Sequence, residues 1–73
     1  MVKRAVKQDI ELKEKILKNN LSNNYKDAAH EALDDLREVV ERYHNEGQLK
    51  EKDYLKYKGI VQEYTTSMKN YHH

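Results

Sequence analysis

The sequence predicts an all-α fold of three helices, an antiparallel hairpin of two helices with a third, N-terminal helix packed against it. Apolar residues recur at alternating spacings of four and three on both sides of Gly47, which is the period of helices that pack against other helices. The 73 residues also include no proline and only two glycines. The upstream pattern comprises Tyr25, Ala29, Ala32, Leu36, Val39 and Tyr43, and the downstream pattern comprises Tyr54, Tyr57, Val61, Tyr64, Met68 and Tyr71. We expect residues 1–73 to form a single small helical domain whose turn lies at Gly47, the residue that ends helix 2.

The composition excludes several classes of protein. The chain contains no cysteine, so disulfides and thiolate metal sites are excluded. No apolar run approaches the roughly 18 residues of a membrane span. The Lys-rich start lacks the apolar segment that a signal peptide requires. We therefore expect a cytoplasmic protein that does not associate with membranes.

Charge is segregated along the chain, although the net charge is only +1. Residues 1–21 carry six Lys or Arg against three Asp or Glu, residues 22–46 carry three against seven, and residues 47–73 carry five against three. An acidic helix between two basic helices favours packing the three side by side.

Helix 1 is expected over about residues 2–19, with its apolar residues on two stripes about 120° apart. The first stripe contains Val6, Ile10, Leu17 and Leu21, and the second contains Ala5, Leu12 and Ile16. Two interpretations are open. Both stripes form one wide face across the hairpin, or one of them is left for self-association, for which we name Ala5, Leu12 and Ile16.

Helix 2 is expected over about residues 25–46, after a polar turn at residues 19–24. Asn24 is the expected N-cap, with Ser22 or Asn23 as alternatives, and Asp27 falls in the first turn, where a carboxylate is favourable. Leu33 and Val40 widen the apolar seam. The opposite, acidic side carries Asp27, Glu31, Asp34, Asp35, Glu38 and Glu41, of which we name Glu31, Asp34, Glu38 and Glu41 as candidate partner-binding residues.

Helix 3 is expected over about residues 51–69. A hydrophobic staple between Leu49 and Tyr54 replaces a polar cap at its start. Gly59 either allows helix 1 to approach closely or is simply tolerated. Because Tyr54 and Tyr57 lie near the hairpin turn, we expect them to remain accessible and add them to the candidate partner-binding residues.

Residues 33–61 resemble the short C-terminal (SHOCT-type) domain, a helical hairpin with a Gly-x-Ile/Leu-Thr-x-x-Glu-Phe/Tyr turn, then a Lys and an aliphatic pair. The matching segments are Leu33-Asp34-Asp35-Leu36, Gly47-Gln48-Leu49-Lys50-Glu51-Lys52-Asp53-Tyr54 and Lys58-Gly59-Ile60-Val61. The chain departs from the family at Lys50, where Thr or Ser is usual, and at Gly59. The resemblance implies a hairpin and no particular activity.

The sequence predicts no catalytic residue, cofactor or metal site. The paired carboxylates Asp34 and Asp35 lie on the polar side of helix 2, whereas acid–base catalysis needs carboxylates placed in a pocket. His30 and Asp34 are four positions apart and could supply two metal ligands, but a stable site needs three or four.

We expect a non-catalytic intracellular regulator or inhibitor that binds a protein partner through helical surfaces, with a homodimer as the simplest symmetric assembly. Such a small build is common among bacterial and phage regulators. An alternative is a nucleic-acid or nucleotide binder that uses basic helix 1 and the Tyr and Lys side chains, although Asp9, Glu11 and Glu14 interrupt the basic residues. A self-assembling structural protein is the third interpretation. The basic residues of helix 1 are Lys3, Arg4, Lys7, Lys13, Lys15 and Lys18. For the nucleic-acid alternative we name Lys3, Arg4, Lys7, Lys15 and Lys18.

Overall fold

Three helices account for most of residues 3–69, the part of the chain that this computed structural model describes. α1 spans Arg4–Ser22, α2 spans Lys26–Asn45 and α3 spans Glu51–Lys69, and no strand occurs between residues 3 and 69. α1 packs on α2, and α2 packs on α3. The predicted all-α, three-helix fold is therefore confirmed, and α3 begins at the predicted residue, Glu51.

The hydrophobic core takes one stripe from each helix. Val6, Ile10 and Leu17 of α1 are buried, and Leu21 packs against them. The buried residues of α2 are Ala29, Ala32, Leu33, Leu36, Val39 and Val40, and those of α3 are Tyr57, Val61 and Met68. The predicted seams are thus largely the observed ones, except that Tyr25 precedes α2 and is exposed. Tyr71 lies outside the described residues.

The end of α1 differs from the prediction, because the helix continues through residues 19–22. It ends where Asn24 adopts a left-handed backbone with φ +62°. The Tyr25 N–H donates to the Asn20 carbonyl at 2.9 Å, and the Asn24 N–H donates to the Leu21 carbonyl at 3.1 Å. These two bonds form a Schellman motif, which asparagine tolerates better than most non-glycine residues.

Asn24 therefore ends α1 and lies one position before the N-cap of α2, so the predicted N-cap position is wrong. Tyr25 occupies the N-cap position of α2, and its side chain makes no capping hydrogen bond. Asp27 does lie in the first turn, as predicted. A carboxylate there is favourable because the helix N-terminus carries partial positive charge.

The end of α2 confirms the role predicted for Gly47. Its φ is +76°, and its N–H donates to the His44 carbonyl at 3.1 Å. The Gln48 N–H donates to the Tyr43 carbonyl at 2.8 Å, which completes a second Schellman motif. Leu49 then turns into the core, and Tyr54 packs against the same core cluster, as the predicted staple requires.

Gly59 is a tolerated residue within α3. It is exposed, and a Cβ at this position would meet no atom within 4 Å. α1 does not approach α3 here, so the alternative of close approach is wrong. The glycine only weakens the helix, since it has more backbone freedom to lose than alanine.

Candidate interaction surfaces

One edge of α2 is fastened to α3 by polar side chains. This paired edge consists of Asp34, Arg37, Glu41 and His44. The last three lie three, seven and ten positions after Asp34, so all four share one side of the helix. Arg37 donates to Asp34 at 2.9 Å and to the Thr65 hydroxyl at 3.3 Å. The paired edge therefore faces α3.

Glu41 is the centre of this edge. Its carboxylate accepts a hydrogen bond from the Tyr54 hydroxyl at 2.9 Å and one from the Lys58 ammonium at 3.1 Å. Partial burial would raise the pKa of Glu41, but the hydrogen bonds from Lys58 and Tyr54 outweigh burial and hold that pKa below its ordinary value. Glu41 was expected on the acidic side of helix 2 that is available to a partner, and this expectation is wrong because its carboxylate is bound by α3.

Tyr54 is also held within the chain. Its ring stacks on the His44 imidazole, with ring centroids 3.6 Å apart and planes 14° from parallel. The His44 Nε2 lies 3.3 Å from a carboxylate oxygen of Glu51. The hydrogen bond to Glu41 raises the pKa of the Tyr54 hydroxyl. Tyr54 thus joins the α2–α3 contact instead of presenting a free ring.

Tyr57 is buried, with 8% of its surface exposed, so the prediction that it remains accessible is wrong. Burial, with Glu11 adding to it, raises the pKa of its hydroxyl. Further along α3, the Tyr64 hydroxyl donates to Glu14 of α1 at 3.3 Å, and burial raises the pKa of Tyr64 to about 12. These tyrosines fill the space between α1 and α3.

The other edge of α2 packs against α1. The Tyr43 hydroxyl donates to Asp9 at 2.6 Å, and the Asn20 amide donates to the Ala28 carbonyl at 3.4 Å. The hydrogen bond from Tyr43 is the main cause that lowers the pKa of Asp9. The Lys13 ammonium also forms an ion pair with Asp9 at 3.2 Å. These contacts fix the register of the antiparallel α1–α2 pair.

The second stripe of α1 lies along this α2-facing edge and is uncovered. Leu12 is 52% exposed, Ile16 is 43% exposed, and Ala5 is exposed as well. Ala5 stands four positions before Asp9, Leu12 three positions after it and Ile16 seven positions after it, so all share one edge of the helix with Asp9. Since Glu14 on the other edge contacts α3, the stripe lies on the side of the α1–α2 pair away from α3. The interpretation in which both stripes pack across the hairpin is therefore wrong.

Three carboxylates of α2 lie on the same side of the molecule. Glu31, Asp35 and Glu38 stand three, seven and ten positions after Ala28, on the edge that contacts α1. All three are exposed, and within residues 3–69 none forms a hydrogen bond or an ion pair. We call these carboxylates, with the stripe of α1, the open face, which consists of Ala5, Leu12, Ile16, Glu31, Asp35 and Glu38.

The open face differs from the predicted acidic set. It keeps Glu31 and Glu38 and gains Asp35, while Asp34 and Glu41 belong to the paired edge. The sequence could not distinguish Asp34 from Asp35, because the choice depends on where α3 packs. Leu55, 58% exposed, and Tyr25, 60% exposed, are further apolar side chains that the sequence analysis did not assign to a surface.

The basic residues of α1 divide into two groups. Lys13 is paired with Asp9, and the Lys18 ammonium lies 3.7 Å from Glu14. The other basic residues of this N-terminal segment are exposed and form no ion pair within residues 3–69; they are Lys3, Arg4, Lys7 and Lys15.

No group of three metal-ligating side chains is found within residues 3–69, and His30 is exposed. That part of the chain also contains no detectable cavity. None of its helices has the length and apolarity needed to cross a bilayer. No protein-family model, curated protein or solved structure matches this chain.

Proposed function

We propose that the protein is a non-catalytic, intracellular regulator or inhibitor that binds a protein partner through its open face. The observation that carries this proposal is the pair Leu12 and Ile16, exposed on α1 beside the carboxylates of Glu31, Asp35 and Glu38, which have no partner within residues 3–69. Apolar side chains in a row beside charges of one sign are typical of surfaces that bind a partner.

The physical reason is that a partner gains free energy at both kinds of side chain. Covering apolar surface contributes about 25 cal/mol per Å², so two large aliphatic side chains provide a useful anchor. The three carboxylates contribute chiefly to the rate and the selectivity of association, because they attract partners of opposite charge. The resemblance of residues 33–61 to the SHOCT-type hairpin supports the helical hairpin and specifies no activity.

Affinity capture from a lysate of the source cell tests the proposal. The baits are the wild-type chain, the Leu12→Gln/Ile16→Gln variant and, as a matched control, Leu55→Gln, which removes an exposed leucine from α3. We expect a protein that the wild type and the control retain and the double variant loses, with or without nuclease. Equal retention by all three baits would contradict a role for the open face.

A second candidate function is nucleic-acid or nucleotide binding. The observation in its favour is the group Lys3, Arg4, Lys7 and Lys15, whose cations have no ion pair within the described residues. Titration of a fluorescent oligonucleotide at low and high salt tests this function, because phosphate binding weakens steeply as salt rises. Retention that nuclease abolishes in the capture experiment would favour this candidate. Self-assembly as a structural protein is the third candidate, and sedimentation equilibrium tests it.

A further inference from the structure

We infer that the partner element seated on the open face is a basic amphipathic helix, which makes the proposed function more specific and rests on it. The inference starts from the arrangement of two parallel rows. Leu12 and Ile16 form the apolar row on α1, and Glu31, Asp35 and Glu38 form the acidic row on α2. The Asp9–Tyr43 and Asn20–Ala28 contacts set the register, which places the apolar row beside the middle of α2.

The acidic row is not neutralised within the described chain. Lys13 lies between the rows, but its ammonium is 3.2 Å from Asp9. Arg42 is the nearest cation of α2 on this side, and its guanidinium lies over the Tyr43 ring, 5.3 Å from the ring centroid. The carboxylates of Glu31, Asp35 and Glu38 therefore leave a strip of unbalanced negative charge beside apolar side chains.

A second copy of the chain does not complement this face. If two open faces stack about a two-fold axis along the helices, Leu12 and Ile16 of each copy lie on the acidic row of the other copy. That arrangement would strip water from the carboxylates by covering them with aliphatic side chains, which is unfavourable. If the axis runs across the helices, the apolar rows meet, but the acidic rows meet as well, and like charges repel. In this second arrangement the exposed Arg4 and Lys15 do not offset the repulsion, because they stand on the edge of α1 away from α2 and so away from both acidic rows.

A basic amphipathic helix complements both rows at once. Apolar residues at spacings of three and four would pack on Leu12 and Ile16, and Lys or Arg along one flank would lie opposite Glu31, Asp35 and Glu38. Two packed helices also offer a groove that accepts a third helix by ridge-and-groove packing. The partner helix would lie on the α1–α2 pair on the side opposite α3.

The test uses a synthetic helical peptide of about 18 residues made from Leu, Ala and Lys, long enough for a stable helix when bound. All its lysines lie on one flank, and a matched peptide carries Glu in their place. Binding to the full chain is measured by isothermal titration calorimetry, and backbone amide shifts in NMR spectra locate it. We expect the Lys peptide to bind, the Glu peptide to fail, and affinity to fall about tenfold or more between about 0.05 and 0.5 M salt.

Variants connect the binding to the two rows. We expect the affinity for the Lys peptide to fall about tenfold in each of two double variants, Leu12→Gln/Ile16→Gln and Asp35→Asn/Glu38→Gln. Leu55→Gln should leave that affinity unchanged. All these side chains are exposed, so the variants keep the fold. Shift changes should map to α1 and to the α1-facing edge of α2, not to the outer side of α3.

Three outcomes overturn the inference. They are equal affinity for both peptides, an unchanged affinity of the double variants, and a wild-type dimer that Leu12→Gln/Ile16→Gln dissociates, which would show that a second copy covers the open face. If lysate capture depends on Leu12 and Ile16 while the Lys peptide does not bind, the inference about the partner fails and the proposed function stands. If neither lysate capture nor peptide binding depends on Leu12 and Ile16, the inference about the partner and the proposed function both fail.

Discussion

The two edges of α2 carry the same kinds of residue, but the polar side chains of one edge are paired with α3 and the carboxylates of the other edge, within residues 3–69, are not. On the paired edge, Glu41 accepts hydrogen bonds from Tyr54 and Lys58 and so fastens α2 to α3. On the open face, Glu31 and Glu38 make no such contact within the described chain. The difference shows that sequence pattern alone does not decide whether a surface carboxylate stabilises the fold or remains available to a partner. The position of the neighbouring helix decides it.

The largest expected effect compares two isoleucines of α1. Ile10 is fully buried, whereas Ile16 belongs to the open face. Ile10→Ala should lower the free energy of unfolding by about 2–5 kcal/mol, because it removes a core side chain and leaves a cavity. Ile16→Ala should change it by less than about 1 kcal/mol. Urea denaturation followed by circular dichroism measures both, and equal losses would mean that α1 is rotated from the described orientation.

The two glycines of the α2–α3 hairpin should respond in opposite directions. Gly47→Ala should destabilise by about 1 kcal/mol, because φ +76° is unfavourable for any residue with a Cβ. Gly59→Ala should stabilise by up to about 1 kcal/mol, since the added methyl group meets no neighbour and alanine favours the helix. Thermal unfolding of the two variants decides the matter. A loss of stability in Gly59→Ala would reveal a contact on the outer side of α3.

A smaller effect separates the two edges of α2 directly. Glu41→Gln should destabilise by about 0.5 kcal/mol, because it weakens hydrogen bonds to Tyr54 and Lys58 that solvent already screens in part. Glu38→Gln, the same chemical change on the open face, should have no measurable effect on stability. Chemical denaturation at neutral pH compares the two. Similar values for both variants would contradict the assignment of the paired edge.

The same contrast should appear as a dependence on pH. The pKa of Glu41 is lower in the folded state than its ordinary value, so the resulting stability is present above that ordinary value and is lost as the pH falls through the folded pKa. Thermal midpoints measured from pH 7 to pH 2 should fall less in Glu41→Gln than in the wild type. Glu38→Gln serves as the control and should follow the wild type. If Glu41→Gln falls as steeply as the wild type, Glu41 does not contribute.

Much of the fold could be predicted because the responsible signals are local. Gly47 indicates a left-handed helix end by its residue type, and α3 begins four residues later, at Glu51. Asn24 adopts the same conformation, but asparagine is equally common at helix N-caps, so the sequence pointed to the wrong role. That ambiguity explains why α1 was predicted to end three residues too early.

The candidate site was harder to predict because it depends on packing between helices. The heptad pattern identified the second stripe of α1 but could not show which stripe α2 and α3 cover. The burial of Tyr57 and the pairing of Glu41 follow from the angle at which α3 meets α2. The angle between two helices cannot be derived from the periodicity of residues within one helix. Asp35 joined the open face for the same reason.

The two Schellman turns have a consequence for folding kinetics. They connect the helices through only residues 23–25 and 46–50, and the helix pairs in contact are neighbours in sequence. Loop closure is inexpensive for such short connections, and chains dominated by local contacts typically fold in microseconds to milliseconds. The chain therefore has little time in which Leu12, Ile16 and its core side chains are exposed together, which limits aggregation while the protein is being made.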